Sequence, residues 1–399
     1  MAQSTPQKTL RRLTIIVAIQ WMGATLGLPL LPLFLERRHG TPSEVGLVMA
    51  SFFVAGIATQ FGFGHLADRF GRRLLLCASL VAYGLASMTF LFHVDAPWFA
   101  LSRAVQGASA GAIEVASLSA VAALFPEAQR GRAVARIFAA QLFGLALGPV
   151  FGAVASVAQL GWAFFAAGIA SLIAALVTLR TDVGDREYDP SALPKLQWNQ
   201  QLTGALIAAS ASGLAVGVYE ACWSLLMNAH HASSLQIRLS WTFFALPWVL
   251  LSRLGGWIAD HTNRRLAALL GLLNGAFFLA LYPHIHNNNV ILGLGSLESI
   301  GASLSLPSIS SLMSQGAADR ELSRRQGLFT TANTASLAIA SGTSGFLFAI
   351  NPVLPFSVMA SISAAFALTT LFWWRHVQGR VSEPRTQQSG GVLSRPIAE

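Results

Sequence analysis

The sequence predicts an all-α membrane protein of twelve spanning helices, built as two related six-helix bundles. Three observations lead there: a shortage of charge, twelve recurring apolar runs, and a loop sequence that occurs twice. Of 399 residues, 54% are AVILMFWYC and only 11% are Asp, Glu, Lys or Arg. Soluble domains carry about 25% charged residues, so a water-soluble body of this size could not cover itself. Much of the surface must face lipid. The formal charge of +9 does not point to nucleic acid. Basic residues sit in short clusters between apolar runs, with no basic domain and no aromatic interleaving.

The runs lie at roughly 13–35, 43–64, 74–94, 96–124, 137–158, 161–179, 201–228, 236–257, 266–284, 290–314, 326–350 and 353–374. Each is long enough for a crossing, which takes about 20 helical residues. Their richness in Leu, Ala, Phe and Gly, without a period of two, favours helices over barrel strands. The first run follows Lys8, Arg11 and Arg12 but has no small-x-small cleavage site, so it reads as an uncleaved span. The second and eighth are expected to loosen at their ends, at Gly62, Gly64, Gly255 and Gly256. With a cytoplasmic N-terminus, Arg37, Arg38 and Arg238 fall outside and Arg103 within the fourth span. All other Lys and Arg then fall inside, which places both termini in the cytoplasm. Residues 1–180 form the first bundle and 199–376 the second. Residues 181–198, rich in acids and proline, are the linker, and 377–399 are expected to be a disordered tail. Cys77 and Cys222 lie in separate apolar runs and read as free buried thiols.

Residues 64–75, GHLADRFGRRLL, align with 256–267, GWIADHTNRRLA, both between the second and third spans of their half. Gly64 and Gly71 would permit a tight turn. Asp68 beside Arg72 and Arg73 could form a charge cluster that locks the inner helix ends. Arg130-Gly131 and Gln326-Gly327 fall at matching loops further on. Together these features resemble the major facilitator superfamily across nearly the whole chain. Gly64, Asp68, Arg69, Gly71, Arg72 and Arg73 match its cytoplasmic gating-loop signature, and Asp260, Arg264 and Arg265 are the echo.

Two further motifs resemble the drug:proton antiporter branch. Gly144-Leu-Ala-Leu-Gly148-Pro149-Val-Phe-Gly152-Ala153 is similar to its glycine-proline motif, departing at Ala153 where that branch usually has glycine. Glycines four apart let helices approach closely, and Pro149 bends the helix. Leu101-Ser-Arg103-Ala-Val-Gln106-Gly107 resembles the motif whose arginine is linked to proton coupling, and Pro29-Leu-Leu-Pro32 the branch's proline pair. The resemblance implies proton-coupled multidrug efflux by alternating access in a bacterial inner membrane. The implied partners are protons, lipid and a small amphipathic or cationic substrate, for a monomer without a cofactor. A carrier of lipids, sugars or other metabolites on the same scaffold is the alternative, and a receptor without transport is the reading of another class.

Arg103, Glu114, Glu220 and Glu298 are the Asp, Glu, Lys or Arg side chains placed well within spans. Each would cost about 2.5–3.5 kcal/mol at the bilayer centre, so they should face the bundle interior. They fall in the fourth, seventh and tenth spans, which the resemblance assigns to the cavity. Glu114 lies about 16 Å along the helix from Arg103 and nearly on the same face. It is the first choice for a proton or cation site, with Glu220 and Glu298 as counter-ions of Arg103. Gln20, Trp21, Gln60, Gln106, Gln141 and Tyr219 are expected cavity walls.

Enzyme-like strings fail on context. Gly107-Ala-Ser109-Ala-Gly111 fits GxSxG but lies inside an apolar helix rather than a strand-turn-helix. Gly62-Phe-Gly64 lacks a βαβ setting, and no phosphate-loop sequence is present. His39, His93, His230, His231, His284 and His286 fall at the outer face and read as solvated histidines rather than metal ligands.

Overall fold

The computed structural model describes residues 5–38, 40–92, 95–125, 127–152, 156–181, 196–315 and 319–377. The first span is α1 (Thr5–Leu26), a 3-10 turn at Leu28–Leu30, and α2 (Leu31–Glu36). The other eleven are α3 (Pro42–Phe70), α4 (Arg72–Met88), α5 (Ala96–Leu124), α6 (Glu127–Phe151), α7 (Leu160–Leu179), α8 (Gln200–Ala229), α9 (Ser234–His261), α10 (Arg264–Leu281), α11 (Asn288–Ser314), α12 (Asp319–Ile350) and α13 (Leu354–Trp374). Twelve spans therefore cross between a face holding both ends of the described chain and a far face. Among the described residues, nine segments are apolar enough by composition alone to cross a membrane. The three that fall short, α5, α9 and α12, contain Arg103 with Glu114, Arg238, and Arg325 respectively.

Several boundaries differ from expectation, the fifth span among them, which runs Glu127–Phe151. The first span is broken, because Pro29 and Pro32 each withhold an amide within four residues, so the chain tightens into a 3-10 turn and restarts. The second and eighth spans do not loosen at their glycines but run on to Phe70 and His261. Gly64 is thus inside a helix, and the turn falls at Gly71 instead, whose φ of 83° suits glycine. The eleventh span starts earlier, at Asp319, because Arg325 is fully buried there. It is held by Glu321 at 3.0 Å and by the Met313 carbonyl at 2.8 Å.

Each bundle repeats the packing of the other. In the first, α1 packs on α6 and α7, α3 on α5, and α4 on α5 and α7. In the second, α8 packs on α12 and α13, α9 on α11, and α10 on α11 and α13. The contacts between bundles obey the same symmetry: α3 meets α12, and α6 meets α9. Small residues make the first of these close, since a Cβ at Gly46 would meet the Ser341 carbonyl and Gly345.

The apolar core shows where the bundles join. One cluster runs through the far face and draws on both, with Leu31, Phe34, Met49 and Phe164 packed in the same body as Val218, Leu226, Phe278 and Phe356. Toward the terminal face it separates into one cluster per bundle. The first includes Leu13, Leu76, Ile113 and Ile137, and the second Leu202, Leu272, Leu312 and Trp374. The bundles are fused at the far face, and their cores are separate at the terminal one.

The repeated loop contributes a shared cap. Arg73 donates to the carbonyl of Leu179 at the end of α7. Arg265, its counterpart, donates to the Trp374 and Arg375 carbonyls at 2.8 and 2.9 Å, at the end of α13. In both bundles the arginine answers the carbonyls that a helix C-terminus leaves without intrahelical partners. Arg265→Ala should lower stability by about 1–2 kcal/mol. Thermal unfolding in detergent checks this, and an unchanged midpoint would show that the cap contributes nothing.

Candidate functional site

Of the charges expected inside spans, Arg103 lies on α5, Glu220 on α8 and Glu298 on α11. On α5, Arg103 is buried and fixed from two sides. Its Nη1 donates to Gln106 Oε1 at 3.1 Å, and its guanidinium carbon lies 4.3 Å from the Phe52 ring centroid. Both contacts suit a cation that has left water. Gln106 is held in turn, with its Nε2 donating to Ser87 Oγ at 2.9 Å. Ser87 Oγ in turn donates to the Tyr83 carbonyl at 2.8 Å.

Glu220 reaches this region from α8, in the other bundle. Arg103 and Glu220 interact electrostatically but form no direct ion pair. Glu220 Oε2 is buried without a hydrogen-bond partner. An open pair of opposite charges therefore spans the bundle interface.

Glu298 is not a counter-ion of Arg103, and that expectation is corrected. Its Oε1 accepts from Tyr219 Oη at 2.9 Å and its Oε2 from Tyr282 Oη at 2.8 Å. Both carboxyl oxygens are thus occupied from within the second bundle. Trp223 fills the angle between the phenols, 5.4 Å from the Tyr219 ring and 4.9 Å from that of Tyr282, and donates to Ser240 Oγ. Asn274 steadies the backbone by donating to the Glu298 carbonyl at 2.9 Å. Tyr282→Phe should cost about 1.5–3 kcal/mol, the range for a hydrogen bond to a charged group. Adding Tyr219→Phe should cost more than the two single losses combined, because only the double variant strips the carboxyl of its donors. Thermal unfolding of the four proteins decides it, and strict additivity would show that the phenols act independently.

Glu114 stands apart from both groups. It is partly buried on α5 and makes no hydrogen bond or ion pair among the described residues. Of the expected cavity walls, Gln20 and Gln106 are buried, Trp21, Gln141 and Tyr219 are partly so, and the side chain of Gln60 lies outside the described residues. Tyr282, Trp223 and Ser87 were not anticipated. The available signal was scarcity: the chain has only four tyrosines, and a phenol in an apolar span needs a partner.

The glycine-proline helix packs against α1. A Cβ at Gly144 would meet Trp21 and Met22, and one at Gly148 would meet Thr25 Oγ1 and the Met22 carbonyl. Thr25 Oγ1 donates across the same crossing to the Gly144 carbonyl at 3.0 Å. Of the repeated loop, the side chains of Asp68, Arg69 and Asp260 lie outside the described residues, as does Ala153. Arg72 is buried and Arg264 partly so. Arg73 and Arg265 bind their own bundles, as described above.

Arg238 was assigned to the outer side; it is buried on α9, and its Nη1 donates to the carbonyls of Leu26 and Gly152. At the same face His230 and His286 stack with centroids 4.8 Å apart. Burial first, and then His286, holds His230 below the usual histidine range. His39 and His93 lie outside the described residues.

The comparisons with known proteins agree with this architecture. The Major Facilitator Superfamily model matches residues 13–219 and again 205–397. The chain belongs to the Major Facilitator Superfamily. Its relatives include the quinolone resistance protein NorA of Staphylococcus aureus (strain MSSA476), 26% identical over 214 residues, covering 51% of this chain and 55% of NorA. A triacylglyceride transporter of Mycobacteroides abscessus is 29% identical over 177 residues, covering 44% of this chain and 34% of that protein. The chain thus spans about half the length of the NorA relatives it matches. Among solved structures, a bacterial homolog of the human lysosomal transporter Spinster, inward-facing and unoccupied, has a TM-score of 0.76 at 13% identity, covering 96% of this chain and all of that one. A peptide transporter POT in complex with sulfate scores 0.74 at 13% identity, covering 93% and 95%. At such identity these two establish the fold alone.

Proposed function

We propose that the chain is a proton-coupled exporter of small amphipathic or cationic compounds, working by alternating access between its two bundles. The observation that carries this reading is the open pair of Arg103 on α5 and Glu220 on α8. Buried charges are costly in a membrane, and an unclosed pair leaves the Glu220 carboxylate available to a proton or to cargo. Glu114, without a partner among the described residues, supplies a second protonatable group in the same bundle as Arg103. The likeness to NorA, whose name refers to quinolone resistance, supports efflux of drug-sized molecules.

In this reading the basic loops place both termini in the cytoplasm of a bacterial inner membrane. The fused far face is then extracytoplasmic, and the described state is closed to the outside. Residues 1–180 and 199–376 are the two moving bodies, and the Asp68 loop holds their inner ends in the opposite state. The chain acts as a monomer that binds protons, lipid and substrate.

The relative described as a triacylglyceride transporter supports a second reading, export of a lipid on the same scaffold. Proteoliposomes separate the two. Under an imposed proton gradient, accumulation of a lipophilic fluorescent cation is expected, and proton movement should accompany it. Transfer of a labelled acylglycerol instead would favour the lipid reading. If neither solute moves, the transport reading falls and a receptor role takes its place.

A further inference from the structure

We infer that Arg238 is the latch that holds the two bundles shut at the far face, and that Gly152 is its seat. The inference rests on the alternating-access reading above. Arg238 lies one turn into α9, in the second bundle, and is 1% exposed. Its Nη1 donates to the carbonyls of Leu26 and Gly152, both in the first bundle. Leu26 is the last residue of α1, and Gly152 directly follows the last residue of α6. One guanidinium therefore answers two helix C-termini at once, where carbonyls lack intrahelical partners and the helix dipoles are negative. A guanidinium is suited to this because its donors are spread over a rigid planar fork.

The local packing leaves room for this group and little else. A Cβ at Gly152 would strike both the Leu26 carbonyl and Arg238 Nη1. Gly144 and Gly148 serve contacts inside the first bundle, with Trp21, Met22 and Thr25. Gly152 has a different task, since it admits a charge from the other bundle. The α3–α12 approach at this face, by contrast, is a contact of small residues around Gly46 and Gly345. When the far face opens, Arg238 must exchange its carbonyl acceptors for water. The balance between closed and open states therefore depends on these charge-assisted bonds.

Spin labels at Ala158 and Val290, exposed far-face positions on opposite bundles, would report that balance. The full chain carries Cys77→Ala and Cys222→Ala, sits in nanodiscs, and is measured by pulsed dipolar spectroscopy. Arg238→Ala and Arg238→Gln should raise the ratio of long to short distances about tenfold, the scale of one charged hydrogen bond. Arg238→Lys should recover part of the closed population, because an ammonium keeps the charge but lacks the fork. Gly152→Ala should reproduce the opening with Arg238 still present. An unchanged distance distribution in monodisperse Arg238→Ala and Arg238→Gln would overturn the latch. Failure of all three Arg238 variants to fold would overturn it too, making Arg238 a folding residue. The transport reading fails separately, if the parent protein moves no solute although its distances respond to Arg238.

Discussion

Replacing Gly148 with leucine is expected to eliminate transport and to lower the thermal midpoint of the purified protein. The reason is the crossing of α6 over α1, where backbone faces backbone. Even a single Cβ at position 148 would meet Thr25 Oγ1 and the Met22 carbonyl. Overpacking in a well-packed core commonly costs about 1–3 kcal/mol, and a leucine adds three carbons beyond that Cβ. Relief by moving α1 is blocked, because α1 also packs on α7. Parting the helices would also break the Thr25 bond to the Gly144 carbonyl. Gly148→Ala should show the same loss in milder form. Combining it with Thr25→Ala should restore only part of the stability, since the Met22 carbonyl remains in the way. Thermal unfolding and proteoliposome uptake measured together decide the matter. A Gly148→Leu protein with native midpoint and native transport would show that the helices are free to separate here.

The glycine spacing made this crossing legible, because three glycines four residues apart can do little in a membrane helix except admit a neighbour. The twelve spans were legible for a similar reason, since apolar length is the strongest signal a membrane sequence carries. What the sequence concealed was direction. The repeat pairs Arg73 with Arg265, and each caps a helix of its own bundle; the expected cluster with Asp68 lies outside the described residues. Glu298 was expected to serve as a counter-ion of Arg103, yet it is turned toward Tyr219 and Tyr282. The burial of Arg238 was not foreseen, because it lies only a few residues from a loop and such short separations do not reveal burial. Its acceptors are 212 and 86 residues away in sequence, and no local pattern could name them.

Glu114→Gln is expected to abolish proton-driven accumulation while leaving downhill exchange of cargo intact. Glu114 and Arg103 lie about three turns apart on nearly the same face of α5. Arg103 already holds Gln106 and Phe52, and Glu298 already holds two phenols. Glu114, like Glu220, makes no hydrogen bond or ion pair among the described residues, but Glu220 has the opposite charge of Arg103 nearby to offset its own. An ionised carboxyl in that setting is costly, and protonation relieves the cost. A proton arriving at Glu114 would thus ease reorientation of the bundles, and cationic cargo would compete with it. Glutamine imitates the protonated form in shape and charge. The variant should reorient without a proton, so that accumulation falls to equality across the membrane and cargo binding loses its pH dependence. Glu114→Asp should keep partial activity with a displaced pH optimum, because it retains the group but shortens its reach. Uptake into proteoliposomes with and without a pH gradient measures all of this. If the glutamine variant still concentrates cargo with unchanged proton dependence, Glu114 is structural. The coupling role then passes to Glu220, whose unsatisfied oxygen faces the bundle interface beside Arg103.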